Sequence, residues 1–325
     1  MTEAVGIHAH PTRKLGRRPP KNAPALRLAQ FLAGPVPSAP LSADYGVQFR
    51  DWQMLGNDTY GDCVAVTWAN QRALVTTVLG GSTDYPTYDQ VIDLYKTQNP
   101  GFPSQDGGMD IQTALEYLHK HGGGDGVKPV AFAKVDHTNH AELAAAHAIF
   151  GQVWYGVNVQ RANQDEFDAN VPWDYASGSP DDGGHSITGV GYNPDYWKFV
   201  TWARETQWTE NFRRHQVEEA WVVIWPEHLG SRQFEEGIDQ AALAAAYEGI
   251  TGARFPVQPT PVPAPSPAPG PGPVPAPLSP SELAVIQFHD EVPRGWETRR
   301  HVGDNEKVAK AIVKLFTAAG FGTVE

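Results

Sequence analysis

The chain has 325 residues, 41% apolar and 19% charged, a globular composition with room for a sizeable core and length for about two domains. Lys and Arg total 25 against 37 Asp and Glu, and the net charge of −12 argues against nucleic-acid binding through bulk charge. A single cysteine, Cys63, excludes an intramolecular disulfide and a multi-cysteine zinc site, and no apolar run is long enough to span a membrane. The opening segment, MTEAVGIHAHPTRKLGRRPP, has no apolar stretch after its charges and does not read as a secretory signal. The expectation is a soluble, acidic protein of a reducing compartment, or one bound into an assembly.

Residues 1–45 form a basic, proline-bearing arm (Arg13, Lys14, Arg17, Arg18, Lys21) with one short apolar patch, LRLAQFLAG. It reads as a surface strap docking a few apolar side chains, or as a basic arm seeking an acidic partner. Residues 46–255 carry the pattern of a folded domain. Cys63 opens CVAVTWANQRALVTTVLGG, which suits a long, largely buried helix ended by two glycines. A second helix, YDQVIDLYKTQ, places Val91, Leu94 and Tyr95 on one face. A third, MDIQTALEYLHKHGGG, spaces Ile111, Leu115 and Leu118 helically and stops at glycines, and NHAELAAAHAIFG reads as a fourth. Strand patterns then dominate: VWYGVNV, HSITGVGY, KFVTWA and AWVVIW. Helices first and strands later predict an α+β fold, a helical layer packed on an antiparallel sheet. Residues 256–280 hold 12 of the 28 prolines and read as a polyproline-type tether, about 75 Å long if extended at ~3.1 Å per residue. Residues 281–325 form a small C-terminal segment with one amphipathic helix, NEKVAKAIVKLFTAAG, too short to be stable without a partner surface.

Chemistry concentrates at two places. Cys63 lies in GNDTYGDCVAVTWAN at the predicted start of a helix, where the positive end of the helix dipole favours a thiolate. Gly61 permits the sharp turn that would project the sulfur; the alternative is an inert, buried small hydrophobe. His185 lies in DDGGHSITGVGYN, with small residues before it and an apolar strand after it, so its ring can face a cleft. A cysteine heading a helix and a histidine on a later strand suit thiolate–imidazolium acyl transfer, the histidine taking the thiol proton and returning it to the leaving group. The other eleven histidines lack this context: His119/His121, His137/His140 and His8/His10 read as solvated clusters. With no HExxH and no cysteine cluster, neither a metal nor another cofactor is expected. The tryptophans crowding the domain read as packing more readily than as a groove lining.

Three segments between roughly residues 50 and 225 resemble the papain-like cysteine peptidase superfamily. NDTYGDCVAVTWAN is similar to the segment around the papain-type nucleophile. DGGMDIQTALEYLHKHGG resembles the family's Asn-Gly-Gly stretch and following helix, and GGHSITGVGYNPDYWKFVTWARETQWTENF resembles its histidine strand and the tryptophan-bearing strand after it. The chain also resembles a set of bacterial and tailed-phage proteins with an Asn-Asp-x-x-Gly-Asp-Cys segment. The resemblance implies a papain-like fold, with Cys63 as nucleophile and His185 as general base. It implies Asn57, six residues before Cys63, as oxyanion donor in place of the family's glutamine, although Asn57 in GND also reads as a turn residue; Gln53 is a second candidate. The family's third position, an Asn or Asp that orients the histidine, is missing: FVTWARE offers Thr201 as a weaker acceptor, with Trp202 able to shield it. Asp181 and Asp182 stand too near His185 in sequence to reach the far ring nitrogen without a favourable loop.

Two functions from different classes follow. One is a cysteine peptidase or amidase cleaving a peptide or peptidoglycan-type amide. The other is a virion structural or decoration protein of a tailed phage, its weakened papain-like domain kept as a scaffold and attached to assembly partners by arm and tail. The expected location is the cytoplasm of the producing cell or a phage virion, with no nucleic acid or membrane partner.

Overall fold

A computed structural model describes residues 12–34 and 39–256. The Pro-rich tether and the C-terminal helix expected above lie outside the described residues. The elements are, in chain order, β1 (Arg17–Arg18), β2 (Ala43–Asp44), α1 (Cys63–Val78), α2 (Tyr88–Lys96), β3 (Met109–Asp110), α3 (Ile111–His121), β4 (Ala131–Val135), α4 (His140–Phe150), β5 (Val153–Gln160), α5 (Arg161–Ala169), β6 (Asp181–Tyr192), β7 (Tyr196–Thr201), β8 (Arg204–Thr209), α6 (Glu210–Gln216), β9 (Val217–Ile224), α7 (Arg232–Gly237) and α8 (Gln240–Thr251). No helix among them is long and apolar enough to cross a membrane.

Six strands run in the order β4-β9-β5-β6-β7-β8, β2 joins at β6, and every pairing in this seven-stranded sheet is antiparallel. The period of two along its strands builds two cores. Tyr155, Val157 and Val159 of β5, with Ala220 and Val222 of β9, pack into one core with α4. Trp154, Trp221 and Val223 point the other way and meet α1, α2 and α3. The fold is therefore α+β, helices packed on an antiparallel sheet, as the sequence predicts.

The four expected helices form, each with identifiable ends. Thr87 and Gln90 make a reciprocal capping box on α2. Asp110 and Asn139 accept first-turn backbone N–H groups of α3 and α4. Gly122 (φ +85°) and Gly151 (φ +72°) end those helices in conformations that disfavour a Cβ. α1 is buried along nearly its whole length, including its polar residues Thr67, Asn70, Gln71, Arg72 and Thr76. Nine elements are additional to those read from sequence: the strands β1, β2, β3, β4 and β8 and the helices α5, α6, α7 and α8.

Residues 12–34 of the arm are docked on the domain. Leu15, Leu26, Leu28, Phe31 and Leu32 join the sheet-side core. Arg13 reaches Asp168 at 2.5 Å, Arg17 pairs with Glu218 and Glu219, and Arg18 donates to Gln98 at 2.7 Å. Two of the arm's cations, Arg13 and Arg17, thus find acids inside the chain, and this part of the arm is a strap.

Candidate active site

Cys63 is the first residue of α1, reached through a loop that turns at Leu55 (φ +51°) and Gly56 (φ +108°). The Asn57 side chain is buried; its Nδ2 donates to the Tyr60 carbonyl at 3.1 Å, and the same amide also acts as a donor toward the Asp62 carboxyl. Asp62, the N-cap of α1, is fully buried, and burial pushes its carboxyl well above the usual carboxylate range. Cys63 is only 1% exposed, and burial pushes its thiol up to about 12. This corrects the expectation of a thiolate favoured by the helix dipole. Nearby backbone at Ser186 and Gly16 favours ionisation, but loss of water outweighs it.

His185 lies on β6, 1% exposed. Its Nε2 and the Thr201 hydroxyl are hydrogen-bonded at 2.6 Å, and its Nδ1 has no partner. Trp202 stacks on the imidazole, ring centroids 4.6 Å apart and planes at 24°. Thr201 ends β7 and pairs with Arg204 of β8, so Trp202 and Ala203 are the two central residues of the hairpin turn, both with positive φ (44° and 59°). That is the primed geometry a two-residue hairpin loop needs, built here without glycine or asparagine. Burial, helped by the nearby charge of Arg17, lowers the His185 pKa to about 3. Asp182 is taken up by Arg161 at 2.7 Å and by Gln164, and Asp181 is exposed, so neither orients the histidine.

The two walls are stitched below the cleft. Trp154 Nε1 donates to Ser186 Oγ (2.8 Å), Ser186 Oγ to Thr67 Oγ1 (3.0 Å), and Thr67 Oγ1 to the Cys63 carbonyl (2.9 Å). Above, the strap crosses from one wall to the other. Lys14 N–H donates to Asn57 O (2.8 Å), Gly16 N–H to Gly184 O (3.0 Å), and Met109 N–H to Gly16 O (2.8 Å). Arg17 and Arg18 then pair in parallel with Met109 and Asp110 as β1 on β3. Glycine makes this close approach possible. A Cβ on Gly108 would lie 1.9 Å from Gly16 O, one on Gly184 2.2 Å from Arg17 O, and one on Gly61 3.0 Å from Leu15 O. Gly16 itself has no room either, since its Cβ would fall 2.0 Å from Gly61 O.

The strap thus runs past Asn57, Cys63 and His185, with Thr201 joined to them through its bond to His185. Gln53 is not among them: it is exposed, and its backbone N–H donates to Tyr85 Oη at 2.9 Å. Among the other histidines, His147 and His228 are fully buried and structural, bonded to Tyr155 Oη (2.9 Å) and the Phe150 carbonyl (3.1 Å). The nine described tryptophans are all buried. The residues missed from sequence are Gly16, Arg17, Gly156, Glu218 and Glu219. The one local signal for them was a pair of acids inside the otherwise apolar strand VEEAWVVI.

A scan of protein-family models and a search of curated proteins both find no match. Solved structures do match. Xylellain, a cysteine protease from Xylella fastidiosa, superposes with a TM-score of 0.52 at 15% identity, over 66% of this chain and 98% of that one. Procathepsin B from Trypanosoma congolense gives 0.48 at 12% identity, over 66% and 86%. The first similarity establishes that the fold is that of papain-like cysteine proteases.

Proposed function

We propose that this protein is a papain-like cysteine peptidase held latent by its own N-terminal strap, with Cys63 as nucleophile and His185 as base. The observation that carries this reading is the orientation of His185. Its Nε2 is fixed by Thr201 and covered by Trp202, while Nδ1 stays unpartnered at the seam headed by Cys63. With Nε2–H donating to Thr201, the Nδ1 lone pair accepts the thiol proton. The sulfur then attacks the carbonyl carbon of a peptide amide, and the Asn57 amide serves as oxyanion donor by turning one N–H from its present acceptors, the Tyr60 carbonyl and the Asp62 carboxyl. The C–N bond breaks as Nδ1–H protonates the departing amine, leaving a thioester. Water, deprotonated by His185, cleaves the thioester to the acid and restores the thiol. Thr201, a neutral orienter, makes this a weaker machine than one with an amide or carboxylate at the same place.

In the strapped state both partners are desolvated and neutral. The test is peptide hydrolysis by the full chain carrying Gly16→Ala, which has no room beneath Gly61. Turnover that disappears in both the Cys63→Ala and His185→Ala backgrounds is expected; turnover that survives either substitution refutes the assignment. A scaffold function is the second reading, favoured by the sealed thiol and by Thr201, and it requires that strap displacement release no hydrolysis.

A further inference from the structure

We propose that Glu219, Glu218, Gly156 and Gly184 form a subsite for a basic substrate side chain, and that Arg17 of the strap is its resident pseudo-substrate; this rests on the peptidase reading above. The alternation of β9 turns Glu219 to the same sheet face as Trp221 and Val223, toward the cleft, where its side chain is fully buried. A buried carboxylate needs a partner, and the partner here is Arg17, itself 6% exposed: Nη1 lies 3.0 Å from Glu219 Oε1, and Nη2 donates to Glu218. The other Glu219 oxygen is already served by Trp221 Nε1 at 2.8 Å, with Lys134 Nζ at 3.7 Å. Oε1 is thus the position left for a cation delivered through the cleft.

The cradle is shaped for a long side chain. A Cβ on Gly156 would stand 2.7 Å from Arg17 Cδ, and one on Gly184 would meet Arg17 O and, at 3.2 Å, its Nη2. Two glycines on adjacent strands keep open the volume that the arginine fills. Position matters as much as charge. Gly16, the preceding residue, lies over the Cys63 thiol, and β1 adds to β3 by main-chain pairing, which is how an extended peptide docks on an exposed strand edge. A substrate lying in the same groove sets into this subsite the residue adjoining the one above the sulfur. The substrate class is therefore peptides with arginine or lysine beside the bond under attack. The planar fork of arginine matches two carboxylates better than the point charge of lysine does.

The test uses the full chain with Gly16→Ala, Arg17→Ala and Cys63→Ala, so that the strap is displaced and nothing is turned over. The probes are a fluorescein-labelled octapeptide of residues 14–21 and the same peptide with norleucine at the position of Arg17, compared by anisotropy. Arginine is expected to be preferred at least tenfold, falling to within twofold when Glu219→Gln is added. If that variant does not fold, Glu218→Gln, whose carboxylate is half exposed, is expected to reduce the preference about threefold. Equal binding of the two peptides, or no binding of either, overturns the subsite. Arginine-selective binding in a chain that never hydrolyses peptides with Cys63 intact supports the subsite and sinks the peptidase reading alone.

Discussion

Replacing Gly16 with alanine is the sharpest perturbation of the strapped state. The added Cβ falls 2.0 Å from Gly61 O and 2.5 Å from Gly61 C, backbone atoms with no rotamer to yield. Relief needs a displacement of about 1 Å, enough to break the bonds from Gly16 N–H to Gly184 O (3.0 Å) and from Met109 N–H to Gly16 O (2.8 Å). At ~1 kcal/mol net for each bond, opening of the strap becomes easier by about 2 kcal/mol, or about 30-fold. Cys63 is sealed when the strap is closed, so alkylation proceeds from the open state and its rate follows the same factor. The assay is the second-order rate of iodoacetamide labelling at pH 8, with Gly249→Ala as control, since its Cβ meets nothing within 4 Å. A Gly16→Ala rate within twofold of the parent would refute the view that the strap guards the sulfur.

Thr201→Val keeps the shape of the side chain but leaves buried His185 Nε2 without its partner; in a strap-displaced background kcat is expected to fall about 100-fold with KM little changed, and an unchanged kcat removes Thr201 from the machinery. His147, His185 and His228 have folded pKa values lowered to about 3, 3 and 4 by burial, so between those values and an unfolded value near 6.5 the unfolded chain binds more protons. The stability these neutral histidines confer is full above pH ~6.5 and is lost as pH falls toward 3–4, a decline to be followed by urea midpoints at half-unit steps; a flat profile from pH 7 to 4.5 contradicts it. Arg72, 1% exposed, pairs with Asp125 (2.7 Å) and Glu227 (2.9 Å) beneath the Trp225 ring, and Arg72→Ala is expected to cost about 3–5 kcal/mol of unfolding free energy by strandingthe two acids, with less than 1 kcal/mol contradicting the network.

What was legible in the sequence was what is local. The spacing of Ile111, Leu115 and Leu118, and glycines after His121 and Phe150, announce α3 and α4 because helix periodicity and left-handed termini act over a single turn. The hairpin of β7 and β8 escaped because its turn is Trp202–Ala203, which carries no glycine or asparagine; KFVTWA accordingly read as strand through Ala203, two residues past the true end at Thr201. α5, in QRANQDEFDAN, buries only Asn163, Gln164 and Phe167, too few apolar positions to show a period. Cys63 and His185 stand out in the sequence through motif context. Their strapped state does not, because the pairing of Arg17 with Glu219 spans 202 residues and leaves no local trace. A helix start alone does not set the state of the Cys63 thiol: its burial, which depends on residues distant in sequence, is the largest cause of the shift.

On the peptidase reading proposed above, the strained turn at Trp202–Ala203 makes latency electrostatic as well as steric. Two non-glycine residues with positive φ cost on the order of 1 kcal/mol each, and such strain persists only where the surroundings enforce it. Here it aims one indole at three targets. The ring covers His185, Nε1 donates to the Lys14 carbonyl at 3.4 Å, and the Arg13 guanidinium lies 5.1 Å over the same ring. Trp202 is thus held from one side by the histidine and from the other by the strap. On that reading, while the strap is down the thiol at about 12 and the imidazole at about 3 stand in the wrong order for an ion pair, and proton transfer between them is uphill. Lifting the strap lets water reach both, and burial is the largest cause of each shift. The thiol therefore falls and the imidazole rises, and departure of Arg17 removes a charge that also disfavours the imidazolium. The proposed mechanism thus needs one movement of a short basic segment, which opens the groove and brings the two pKa values toward the order that proton transfer needs.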